Sequence, residues 1–451
     1  MDTNAPKTPA ALPFTAWQSL RPDEAVRELQ ARITALPAPL RRAAIAWLRP
    51  AIELSEQLGR GSGSQPPANN APLRGIPYFL KDLFDLAGAP TRAGSTFIER
   101  IRPTPTVDSR LAQRLTSLGA VCAGKSHLVE FASGLTGENP HYGDCPHPHF
   151  PDRLTGGSSS GSAALVAAGV VPLAIGTDTG GSVRVPAAWC GLHGFRFTPG
   201  DELIRDAFPL APTMDTAGWF TANPSDLLTS WRALTEGVNP PAELETNPDG
   251  PARPENSPLR TTPRGCYLNA RKLVPGMDPP VATACDYLAA SLTTHADSTT
   301  ESILLHSWQR AVETYMTIGM SEAHEVHRNW LAPYREHYDP VIWQRFTDAG
   351  HFPSADIAQA RTRLQEIRAV WHDFFRAYDF LILPAVPSTA PTKAQATTEL
   401  RRMILTLTAP ASLGGLPVLS LPMPVADGLT AGLQVILPAA NSRVVPWLLA
   451  R

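Results

Sequence analysis

The sequence predicts an α/β protein whose sheet is covered by helices on both faces. Short apolar runs with strand character, at residues 75–82, 120–124 and 170–175, alternate with segments of helical period. These runs are apolar along most of their length rather than alternating, as strands buried on both faces are. With 451 residues, 43% of them hydrophobic and 18% charged, the chain can bury a large core as one large domain or two smaller ones.

In chain order, Val26, Leu29, Ile33 and Leu36, then Ala44, Trp47, Leu48, Ile52 and Leu54, recur at helical spacing. They predict two amphipathic helices split near Pro37 and Pro39, so residues 1–60 form a helical segment that packs on the core. GSGSQPPANN, at 61–70, reads as a flexible connector leading into the strand GIPYFLKD. A helix over 108–118 and the strand AVCAG follow, and a helix at 163–168 before the strand at 170–175 continues the rhythm. Prolines and polar residues crowd 239–265, which predicts a long surface loop and an internal boundary. Beyond it, Ile357, Leu364, Ile367, Trp371, Phe374 and Tyr378 form one stripe of a helix over 354–378. DFLILP and LQVIL read as strands.

A formal charge of −2 with no basic block gives no nucleic-acid footprint and no strong attraction to anionic membranes. Cys122, Cys145, Cys190, Cys266 and Cys285 are odd in number and form no CxxC, the usage of free thiols in a reducing, cytoplasmic compartment. MDTNAPKTPAALPFTAW lacks the basic and apolar regions of a signal peptide. The longest apolar stretch, 163–175, contains Pro172 and is too short to span a bilayer, so it is a core element. The 46 prolines, about twice average usage, point to many fixed loops. No GxGxxG follows a strand and no GxxxxGK[ST] occurs, so no nucleotide cofactor is implied.

The chemistry-bearing residues cluster in two turns, GGSSSG at 156–161 and GTDTGGS at 176–182. Glycine allows close backbone approach, successive N–H groups can hold an anion, and adjacent hydroxyls supply a nucleophile. Gly157 to Gly161 satisfies GxSxG, but that elbow needs a buried strand before it, and HPHFPDR is a proline-broken loop. Ser182 is better placed: a strand feeds its turn, and a helix can start at Val183. The N–H groups of Thr179, Gly180, Gly181 and Ser182 then form an oxyanion site. Lys81, at the end of an apolar run, either snorkels outward or is buried. Burial that lowers its pKa by roughly 3 from ~10.4, about 4 kcal/mol, would make it a general base for a serine.

Two other groupings compete. His141, Asp144, Cys145, His147 and His149 are dense in metal-ligating types, but their exposed, proline-spaced loop reads as surface polarity, so no metal is expected. His193 lies eleven residues after Ser182 and reads as a structural histidine carried away along a helix.

GGSSSGSAALVAAG and GTDTGGSVRVPAAWCG resemble the signature stretch of the amidase signature family of serine hydrolases. The likeness continues through GAVCAGKSHLVEFASGLTGENPHYG and PLAPTMDTAGWF, and returns loosely in LILPAVP and LGGLPVLSLP. It is strong over 73–220 and loose over about 375–437. The resemblance implies a single large α/β/α domain over 71–451 with a mixed, twisted central sheet. It makes Ser182 the nucleophile, Ser158 the bridging serine with a cis peptide link, and Lys81 the catalytic lysine. Thr179, Gly180 and Gly181 match the oxyanion-hole backbone, and Ser159, Asp178 and Arg184 support the site. GFRFTPGD (194–201) departs from the family pattern, which touches pocket shape rather than chemistry.

The implied function is a cofactor-independent amidase acting on small linear amides. An alternative is the glutaminase-type component of a tRNA-dependent amidotransferase, which would require partner chains. Val185 stands where such components usually have glutamine and favours the hydrolase. A catalytically silent interaction protein is the third reading, opposed by the joint presence of Lys81, Ser158 and Ser182. The substrate pocket is expected near residues 136–142 and the helical insertion after Pro280, and a homodimer is compatible with the sequence.

Overall fold

One mixed sheet organises the computed structural model, which describes residues 10–60, 71–236 and 262–451. Its strands are β1 (Ile45–Leu48), β2 (Pro77–Lys81), β3 (Val121–Ser126), β4 (Leu173–Thr177), β5 (His193–Arg196) and β6 (Ala217–Thr221). They continue with β7 (Gly265–Tyr267), β8 (Thr294–His295), β9 (Phe380–Pro384), β10 (Val418–Pro424) and β11 (Thr430–Ile436). Across the sheet the order is β1-β3-β2-β4-β6-β5-β10-β11-β9-β7-β8. β3, β2 and β4 run parallel, as do β9, β7 and β8, while the middle of the sheet is antiparallel. The expected single α/β domain with a mixed sheet is the architecture found. Strands from before and after residue 239 share this sheet.

β2, β3, β4 and β6 are buried at every position, which explains why their sequences do not alternate. The helix Ser160–Ala167 packs on β2, β4 and β6. It is small and apolar on nearly all sides because it has no solvent face. The helices Ala311–His327, Ser354–Ala377 and Thr398–Leu413 pack on one another.

Some expectations need correction. The second N-terminal helix is interrupted. Ala38–Ala44 is helical, Ile45–Leu48 is the edge strand β1 paired antiparallel with β3, and Ala51–Arg60 is helical again. Ladder pairing to β3, with Pro50 just beyond, overrides the helical spacing of Ala44, Trp47 and Leu48. Residues 1–60 therefore contribute a strand as well as helices. The strand expected at 170–175 is Leu173–Thr177, because Pro172 cannot donate within a central ladder. The last strand is Thr430–Ile436 rather than 433–437. Of the polar stretches, 61–70 and nearly all of 239–265 lie outside the described residues.

Candidate active site

Two parallel strands end together at the site. Register pairs Leu80 of β2 with Ile175 of β4, so Lys81 and the 176–182 turn leave the sheet side by side. Lys81 is 0% exposed, and its Nζ lies 2.8 Å from Ser158 Oγ, 2.9 Å from Ser159 Oγ and 2.7 Å from Thr177 Oγ1. Burial pulls its pKa down to about 7 against the opposing fields of Asp178 and Asp215. A substantial fraction is therefore neutral near pH 7 and carries a lone pair.

The hydroxyls around it are not equivalent. Ser159 Oγ donates to Thr177 O at 3.1 Å and accepts from Thr177 N–H at 3.2 Å, so toward Lys81 it is an acceptor. Ser158 and Thr177 hydroxyls meet only Lys81 among the described residues, which leaves their protons free to turn toward a neutral amine. The Gly157–Ser158 peptide is cis, as the resemblance implies. Gly176 permits this packing, since a Cβ there would meet Ser159 Oγ at 2.7 Å.

Ser182 is buried beside this cluster in sequence order but not hydrogen-bonded to it. Its hydroxyl has no partner among the described residues, and no hydrogen bond joins it to Ser158. The turn before it is held from below by Asp178, which accepts from the N–H groups of Gly181 (2.8 Å), Val183 (3.0 Å) and Arg184 (3.2 Å). Asp178 also pairs with Arg184 at 2.9 Å and Arg196 at 2.8 Å, all three side chains 0% exposed. Burial alone would raise the carboxyl's pKa; the two guanidiniums outweigh it and hold the group well below the usual carboxylate range. Arg184 reaches on to Thr408 O, Gln434 Oε1 and Ser412 Oγ, tying the turn to the helix Thr398–Leu413 and to β11.

This geometry changes one expectation. The Gly181 N–H is engaged by Asp178 and does not point free for an oxyanion, whereas those of Thr179, Gly180 and Ser182 have no acceptor among the described residues. Thr179 is steadied by its hydroxyl, which donates to Asp215 Oδ1 at 2.6 Å. Asp215 takes the N–H groups of Leu210 and Ala211 on its other oxygen, and burial pushes its pKa up. Gly180 passes so close to the Tyr315 ring and hydroxyl that no Cβ could be added without displacing one of them.

Sequence reasoning singled out Lys81, Ser158, Ser159, Asp178 and Arg184, and these lie where two linked clusters form. It missed Thr177, Arg196, Asp215, Tyr315 and Thr408. Thr177 and Asp215 sit inside stretches already noted as motif; Arg196 sits in GFRFTPGD, where its buried guanidinium pairs with Asp178 beneath the turn. His147 is buried with Nε2 3.1 Å from Trp189 O, not a surface residue as expected. Its neighbours disperse: His141 meets Glu130, Asp144 pairs with Lys393, and Cys145 is buried. His193 is on β5 opposite Thr221, with burial pulling its pKa down to about 4. All five cysteines are free and buried, and among the described residues no helix is long and apolar enough to cross a membrane.

The Amidase family model matches residues 24–443. The chain is 33% identical over 394 residues to AtzE, a component of the 1-carboxybiuret hydrolase of Pseudomonas sp. (strain ADP), covering 83% of this chain and 81% of that protein. It is 32% identical over 426 residues to the A component of the glutamyl-tRNA(Gln) amidotransferase of Chloroflexus aurantiacus, covering 87% and 83%. A crystal structure of an amidase superposes with a TM-score of 0.78 at 29% identity, over 97% of this chain and 98% of that one.

Proposed function

The chain belongs to the amidase family, and from that premise we propose that it hydrolyses a carbon–nitrogen amide bond of a small molecule through a Ser182 acyl-enzyme. The observation that carries this reading is the buried Lys81 amine with a pKa of about 7, hydrogen-bonded to Ser158. Neutral Lys81 takes the Ser158 proton as Ser158 takes that of Ser182, and Ser182 Oγ attacks the carbonyl carbon. Negative charge collects on the carbonyl oxygen, where the N–H groups of Thr179, Gly180 and Ser182 are the donors. Arg184 and Arg196 around Asp178 leave one net positive charge beneath that turn, favouring the same charge development. The proton returns through Ser158 to the leaving nitrogen, the C–N bond breaks, and water releases the acid from the ester by the reverse relay. Thr177 and Ser159 hold the amine on the relay axis.

The similarity to the amidotransferase component favours a second reading, in which the same chemistry releases ammonia from glutamine for partner chains. Similarity to the 1-carboxybiuret hydrolase component favours free amides or ureas as substrates. Ammonia release by the purified chain across a panel of primary amides, glutamine included, separates the two. Turnover of several amides without added partner chains, lost in Ser182→Ala, is the expected result; silence on all of them, or turnover by Ser182→Ala, contradicts the proposal.

A further inference from the structure

A trans peptide carries its carbonyl and its N–H on opposite edges of one rigid plane. A bond that holds the carbonyl therefore aims the N–H of the next residue. Gly157–Ser158 is the one cis bond among the described residues, so this rule holds throughout the turn that leads to Ser182. The N–H groups of Thr179, Gly180 and Ser182, which meet no acceptor among the described residues, are steered by the carbonyls of Asp178, Thr179 and Gly181.

Each of those carbonyls is held. Asp178 O accepts from Thr216 Oγ1 at 2.8 Å and from Arg196 Nη1 at 2.6 Å. The same arginine nitrogen reaches Thr179 O, more loosely, at 3.4 Å. Gly181 O accepts from Val185 N–H at 2.8 Å. Between these planes lies the Gly180–Gly181 peptide, whose N–H donates to Asp178 Oδ1 at 2.8 Å and whose carbonyl accepts from Thr408 Oγ1 at 2.6 Å. One bond leaves a plane free to swing about it, and bonds on both edges stop the swing. Two consecutive glycines put no side-chain restraint on that motion, so the restraint comes from these partners.

Two of the partners are neutral hydroxyls from distant parts of the chain, both completely buried. Thr216 directly precedes β6, and its own carbonyl accepts from Asp178 N–H at 2.9 Å, so the two residues meet in two bonds. Thr408 sits on the helix Thr398–Leu413, and its carbonyl accepts from Arg184 Nη1 at 2.8 Å. That closes a circuit: the Thr408 hydroxyl to Gly180, Gly181 to Asp178, Arg184 to Asp178 at 2.9 Å, and Arg184 back to Thr408. A threonine inside a helix can satisfy its hydroxyl on the carbonyl four residues back. Ile404 O does lie 3.0 Å from Thr408 Oγ1, but Gly180 O is nearer and has no other donor among the described residues. Donors to a developing oxyanion act by being aimed before the reaction starts, so a loosened turn costs the transition state more than it costs substrate binding.

Resting on the amide-hydrolase reading, we infer that Thr216 and Thr408 are positioning residues of the oxyanion site, whose hydroxyls hold the peptide planes of the turn so that the N–H groups of Thr179, Gly180 and Ser182 stay turned toward the reacting carbonyl oxygen. Valine has the shape of threonine, so Thr216→Val and Thr408→Val remove the hydroxyl alone. Each lowers kcat by about tenfold and leaves KM within about twofold of wild type. Thr216→Ser and Thr408→Ser keep the donor and recover most of the loss. Turnover is counted per chain that a fluorophosphonate labels at Ser182, read by intact mass, which removes misfolded protein from the comparison. The pH at which the rate reaches half its plateau stays at the wild-type value, because neither hydroxyl touches Lys81. Should valine prevent folding at either position, alanine there is the second variant, with the same expectation. Wild-type kcat in both valine variants, a loss carried by KM, or a serine variant as impaired as the valine one overturns the inference and leaves the hydrolase reading standing. A wild type that neither turns over amides nor labels at Ser182 overturns that reading, and the inference with it.

Discussion

Replacing Lys81 with methionine should abolish turnover and change how stability depends on pH. In the folded protein the amine has a pKa of about 7, against 10.5 for the ordinary group. At pH 7 the unfolded chain holds the proton firmly and the folded one only half, which costs the wild type about 4 kcal/mol relative to a neutral isostere. The sign follows from linkage: the unfolded state binds more protons between the two values, so wild-type stability rises with pH through this window. At pH 8.5 the cost has fallen to about 2.5 kcal/mol. Loss of the amine also strips a partner from Ser158, Ser159 and Thr177, about 1 kcal/mol each, so the net sign at one pH is a poor guide. The difference between two pH values is free of that term. Urea unfolding of wild type and Lys81→Met at pH 7.0 and 8.5 should show the wild type gaining about 1.5 kcal/mol on the variant. A difference that does not move with pH would mean the lysine does not titrate near neutrality, and the base assignment would fail.

Three further outcomes follow from the same geometry. Asp178→Asn leaves Arg184 and Arg196 buried without their anion and should cost about 3–5 kcal/mol in urea unfolding; a midpoint near wild type would contradict the bracing role. Asp215→Asn removes a charge that favours protonated Lys81, so the acid limb of the kcat/KM profile should move to lower pH; movement upward would show another group controls that limb. Gly180→Ala drives a Cβ into Tyr315 and should lower kcat by on the order of 10²-fold, and an active variant would contradict the close contact.

Much of the site was legible because its residues sit in two short contiguous turns and one strand end. Strand runs such as 75–82 and 120–124 were legible because burial on both faces leaves a plain apolar signature. What stayed hidden depends on long-range pairing. Ile45–Leu48 carries a helical spacing of apolar residues, and only the ladder offered by β3 makes it a strand. Asp215 reaches Thr179, and Thr408 reaches Gly180, across 36 and 228 residues, distances over which no local pattern speaks. The engagement of the Gly181 N–H by Asp178 is a matter of hydrogen-bond direction, which residue types alone do not fix. His147 looked exposed because prolines flank it, yet the carbonyl of Trp189 gives it a buried partner.

The central claim is that a largely neutral Lys81 activates Ser182 through Ser158. The most direct measurement is the rate of fluorophosphonate attachment to Ser182 as a function of pH, read by intact mass in wild type and in Ser158→Ala. The account predicts a single adduct on Ser182, a rate rising to a plateau with a midpoint near pH 7, and collapse of that rate in Ser158→Ala. An adduct that persists in Ser182→Ala, or a rate indifferent to pH and to Ser158, would contradict it.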